Sequence, residues 1–124
     1  MKFKLVGAAL LLVSGGASAQ SMNAQTFYQR AAALQKKGVL ALLSGDLTTL
    51  MNEGKAAGAK ARELRLAALA AGQKPRFCPP GQPVSMDTEE FMRRLAQIPA
   101  ADRSRIDMAE AMTRILAVKF PCRT

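Results

Sequence analysis

Asp46 to Gly72 reads DLTTLMNEGKAAGAKARELRLAALAAG, a stretch dominated by alanine and leucine, poor in β-branched residues and free of sustained two-residue alternation. Those features predict one long helix. Leu50, Ala57, Ala61, Leu64 and Ala68 recur at helical spacings and form a single core-facing stripe. Asp46 is placed to cap the N-terminus with its carboxylate, and Gly72, with Pro75 beyond, closes the C-terminus. Gly54 and Gly58 make a G-x-x-x-G step that would let a neighbouring backbone approach closely. Because Glu53, Lys55, Lys60, Arg62, Glu63 and Arg65 surround it, packing within the chain is expected, with a homodimer seam as the alternative.

The same helical texture extends in both directions. Upstream, a helix is predicted from about Ala24 to Lys37, with Phe27, Ala31 and Leu34 on one face, Lys36 and Lys37 favourable to its C-terminal dipole, and Gly38 able to end it. Val39 to Leu43 is too apolar to be expected at the surface and reads as a short buried turn, unless Gly38 sits inside one longer helix. Downstream, prolines 75, 79, 80 and 83 make Lys74 to Pro83 an extended connector. Asp87 with Glu90, and Asp107 with Glu110, form carboxylate variants of the capping box. The first precedes Phe91, Leu95 and Ile98, with Pro99 stopping the helix or starting a short turn; the second precedes Met108, Met112, Ile115 and Phe120 and stops at Pro121. The expected fold is all-α: a small single-domain bundle of about four helices.

Cys78 precedes the third helix and Cys122 follows the fourth. If these helices pack antiparallel, their outer ends bring the two cysteines together, and a structural disulfide is the economical expectation. An intermolecular bridge is the alternative; a redox role would call for closely spaced cysteines, and there is no C-x-x-C.

The 124 residues carry 18 Lys+Arg, 9 Asp+Glu and no His. The missing imidazole excludes Ser-His-Asp and Cys-His nucleophile pairs and His-ligated zinc, and two cysteines cannot build a four-thiolate site. Asp46, Asp87, Asp107, Glu90 and Glu110 fall where helix caps need them, so capping accounts for them, and the serines lack an imidazole base; a Ser-Lys hydrolase has no supporting pattern. No cofactor is implied. The excess of basic groups is a solvated surface or a site for anionic lipid or an acidic protein. A single Tyr and the lack of a phosphate loop or nucleic-acid module argue for no nucleic-acid partner.

Lys2 and Lys4, the apolar run Leu5 to Val13 and Ala17-Ser18-Ala19 have the form of a secretory signal peptide cleaved after residue 19. The apolar run is too short for a bilayer span. Loss of the leader would take the formal charge from +9 to +7 and leave one domain, 20–124. That domain is expected in the periplasm, without an integral membrane span, where disulfides persist.

Phe77-Cys78-Pro79-Pro80, a helix ending in Ile98-Pro99, and a terminal amphipathic helix closing in Phe120-Pro121-Cys122 resemble the Rap/Tai family of type VI secretion immunity proteins over about residues 77 to 122. The resemblance implies a small exported helical protein that is not an enzyme, whose partner is a peptidoglycan amidase effector that it binds and blocks, with Cys78 and Cys122 as the structural disulfide. The family has no fixed contact signature. The elements expected to enter an amidase cleft are therefore the two loops, with Lys74 and Arg76 in one and Ser44 and Asp46 in the other. A periplasmic chaperone or envelope-stress protein with many clients is the rival expectation.

Overall fold

A computed structural model describes residues 21–82 and 85–123; the expected signal peptide and Pro83 lie outside the described residues. Helix α1 spans Ala24–Lys37 and ends at Gly38, whose φ of 57° needs a residue without a side chain. A 3₁₀ segment, Gly38–Leu43, leads into α2, Gly45–Ala70. Beyond the connector come α3, Thr88–Gln97, the single turn α4, Ala100–Arg103, and α5, Met108–Lys119. The four longer helices are the bundle predicted from periodicity, and no helix among the described residues is long and apolar enough to cross a membrane.

Side-chain ties set the directions. Arg30 on α1 pairs with Asp46 at the start of α2 at 2.8 Å, while the backbone N–H of Met22, just before α1, donates to Glu53. The two helices therefore form an antiparallel hairpin. Lys119 at the end of α5 reaches Glu90 at the start of α3 at 2.6 Å, giving the antiparallel second pair. The segment 21–23 clasps the two pairs together: the Met108 N–H donates to the Met22 carbonyl at 2.7 Å, and the Ala24 N–H donates to that of Ile106 at 2.9 Å. Ala57 and Ala61 on α2, and Ala109 and Ala111 on α5, are buried where these helices pack. Phe27, Leu34, Leu50, Leu95, Met108 and Ile115 complete the core.

Several local expectations are corrected. The N-cap of α2 is Ser44, whose hydroxyl accepts from the Asp46 N–H; the Asp46 carboxylate is drawn instead to Arg30. Asp87 and Asp107 do cap their helices at Glu90 and Glu110, but the reciprocal half of each capping box is given up. Glu90 goes to Arg94 and Lys119, and Glu110 to Arg76 and Arg114. Full burial along the α2 stripe ends at Ala61: Leu64 is half exposed and Ala68 half-buried. Close packing rests on the alanines rather than on Gly54 and Gly58, where an added Cβ would meet nothing within 4 Å.

The largest departure is the 3₁₀ segment. Val39, Leu40, Leu42 and Leu43 are exposed by 80, 63, 74 and 85%, although burial was expected from their composition. Ala41 alone of the segment turns inward against the core; the tight 3₁₀ path between two antiparallel helices leaves Val39, Leu40, Leu42 and Leu43 projecting from the bundle end, uncovered by any other element among the described residues.

At the opposite end, Cys78 and Cys122 form the disulfide, with Cα atoms 4.9 Å apart and a sequence separation of 44. The Cys78 N–H donates to the Phe120 carbonyl, and Phe77 is buried beneath Arg65, which donates to the Phe77 carbonyl at 3.1 Å and stacks over its ring. The connector from Lys74 is thus fixed to both α2 and α5. Arg76 adds a two-point ion pair with Glu110 at 2.6 and 2.8 Å.

These ion pairs set an acid limit. Arg76 first, then Arg114, holds the Glu110 carboxyl below its ordinary value; Lys119 and Arg94 do the same for Glu90. Both groups resist protonation more in the folded chain than in the unfolded one. The stability they contribute is therefore present above the ordinary glutamate value, about 4.3, and is lost as pH falls through their lowered folded values. Urea midpoints are expected to stay flat from neutrality to about pH 5 and to fall below about pH 4. Glu110→Gln should lower neutral stability by up to about 1 kcal/mol and flatten part of that acid limb; an unchanged limb would refute the assignment.

Candidate functional site

An apolar groove of about 580 Å³ opens beside the 3₁₀ segment, within the range of roughly 300–1,000 Å³ usual for ligand sites. One wall is the α1–α2 hairpin. Phe27, Ala31 and Leu34 come from α1, and Leu50 and Met51 from α2, with Gly38 and Ala41 forming the lip. The other wall is Met86 and the start of α3, where Phe91 meets Phe27 edge-on with ring centroids 5.8 Å apart; Met112 and Leu116 of α5 lie between. Gln35, Lys55 and Thr88 are its polar groups, and none is acidic.

Gly54 and Gly58 leave α2 without side chains along this groove. The G-x-x-x-G step thus widens a cleft instead of bringing two helices together. Alanine at either position fits without a clash and favours the helix, so Gly54→Ala and Gly58→Ala should each raise stability by about 0.5–1 kcal/mol. A fall in melting temperature would show that the glycines answer a backbone need. Met51, Met86, Met92 and Met112 give the walls adaptable, polarisable side chains.

The four loop residues singled out from sequence do not form one site. Ser44 and Asp46 lie between the groove-lining residues Ala41 and Leu47, while Lys74 and Arg76 lie beyond the other end of α2, whose 26 residues span about 39 Å. Ser44 is occupied in capping, Asp46 with Arg30 and Arg76 with Glu110; Lys74 is exposed. The groove itself went unread because its residues come from four helices, although two glycines on the face next to the buried stripe were a usable sign.

Arg103 was also unread. It is buried, and its guanidinium donates to the carbonyls of Leu95, Ala96 and Ile98 at the end of α3 and to the Gln25 side chain, and lies 4.1 Å over the Tyr28 ring. Its cation satisfies the free carbonyls of a helix C-terminus and binds α3 and α4 to α1.

Chemically, the groove offers a largely apolar contact surface. Its walls hold no nucleophile paired with a base. Among the described residues no three His, Cys, Asp or Glu side chains gather, and both cysteines are joined. Comparison with models of protein families, with curated proteins and with solved structures gives no match to the chain.

Proposed function

We propose that this chain is a periplasmic binding protein of the immunity type, which docks a peptidoglycan amidase effector and blocks its cleft. The observation that carries the proposal is the open apolar groove, rigidly framed by four helices and free of catalytic pairs. The resemblance over residues 77 to 122 supplies the partner class. An apolar segment of the amidase seats between α2 and α3, and the Ser44–Asp46 corner beside the groove stands against the cleft. The pinned connector at Lys74 and Arg76 holds the scaffold at its other end.

The test is capture from periplasmic extract by the oxidised chain 20–124 at low and near-physiological salt, followed by assay of peptidoglycan hydrolysis by what is captured. One stoichiometric, salt-resistant amidase that is inhibited supports the proposal. A second proposal, a chaperone with many clients, draws on the exposed Val39, Leu40, Leu42 and Leu43 beside a methionine-lined groove. It predicts many weak partners and suppressed aggregation of unrelated unfolded proteins.

A further inference from the structure

Beyond the docking of a protein partner, we infer that the 3₁₀ segment with Lys36 and Lys37 behind it is a membrane-docking tip that seats the protein on an anionic lipid bilayer. Val39, Leu40, Leu42 and Leu43 form a contiguous exposed apolar knob at one end of the bundle. Water is a poor environment for four such side chains, and a patch of this kind on a small protein marks a contact surface.

Charge selects the contact. Lys36 and Lys37 immediately precede the knob, both are exposed, and neither is held by a carboxylate among the described residues. The chain has no acidic residue before Asp46, and Asp46 is neutralised by Arg30 at 2.8 Å. The tip is therefore apolar at its end and basic at its shoulder. That is the order a bilayer surface takes up, with leucines in the acyl boundary and lysines at the level of anionic headgroups. An acidic protein would engage the lysines but would leave four apolar side chains to find a separate pocket. A second copy would bring two pairs of lysines towards each other.

The test is flotation of the oxidised chain beginning at Gln20, which contains every described element, with vesicles of phosphatidylglycerol and phosphatidylcholine or of phosphatidylcholine alone. The protein is expected to co-float with the anionic vesicles, less so as salt rises, and to stay behind with the neutral ones. Lys36→Gln with Lys37→Gln should lower the partition coefficient about 25-fold, at roughly fivefold per lysine. Leu40→Ser with Leu43→Ser should lower it at least about tenfold. All four positions are exposed, and a retained circular dichroism spectrum and melting temperature confirm that each variant folds.

Three results would overturn the inference. No co-flotation at low salt is one. Binding that falls with the lysines but not with the leucines would reduce the effect to general basic attraction. Concentration-dependent dimerisation abolished by Leu43→Ser, without vesicle binding, would assign the knob to contact between copies.

Discussion

Reduction of Cys78–Cys122, or its replacement in a Cys78→Ser, Cys122→Ser chain, is expected to remove about 4 kcal/mol of stability. The chain-entropy relation gives that figure for a bridge closing a loop of this size, and a domain of this length has only about 5–15 kcal/mol in all. The bridge encloses the end of the connector, α3, α4 and α5, the half of the bundle that covers the α1–α2 hairpin. Without it, the Cys78–Phe120 hydrogen bond and the Arg76–Glu110 pair must hold the connector against a longer free loop. The reduced chain should melt in a broad transition near ambient temperature. A loss below about 1 kcal/mol would mean that the connector is held by its non-covalent contacts alone.

Arg103→Met should cost about 3 kcal/mol. The side chains are comparable in length, but methionine takes the guanidinium donor from the carbonyls of Ala96 and Ile98 and from the Gln25 oxygen in a partly buried corner, and leaves the Leu95 carbonyl only the Ile98 N–H; unpaired buried acceptors each cost about 1–3 kcal/mol. The loss of stacking on Tyr28 adds to this. Arg103→Lys should recover only part, because one ammonium cannot reach several carbonyls and Gln25 as the planar guanidinium does. Chemical denaturation of the three proteins ranks them. Equal stability of wild type and methionine variant would mean that the corner is open to water.

The sequence was most legible where local chemistry and tertiary need agree. Helix α1 runs from Ala24 to Lys37 as periodicity predicted, because Gly38 alone offers the positive φ that ends it. The cysteines and the proline connector were readable because both constrain the chain irrespective of its neighbours. Asp46 was misplaced as a cap because Ser44 could cap as well, and the choice between them lies with Arg30, a turn-and-hairpin away. Burial of Val39–Leu43 was misjudged for a different reason: apolar composition reports what a segment avoids in water, while its position at a bundle end determines whether anything can cover it. Arg103, one arginine in a four-residue helix, left no periodic trace at all. The groove needed residues from four helices at once, so only its glycines were visible beforehand.

On the proposed function, the groove is the surface on which an amidase is held. Gly58→Leu tests it most directly: the new side chain projects into open space along the groove and the exchange favours the helix. The measurement is the titration of peptidoglycan hydrolysis by the captured amidase with wild type and with this variant, melting temperatures being recorded alongside. Stoichiometric inhibition by wild type, weakened at least about tenfold by Gly58→Leu with no loss of folding, is the predicted result, a penalty of the size expected for a filled apolar contact site. Equal inhibition by the two proteins, or no inhibited amidase at all, would contradict it.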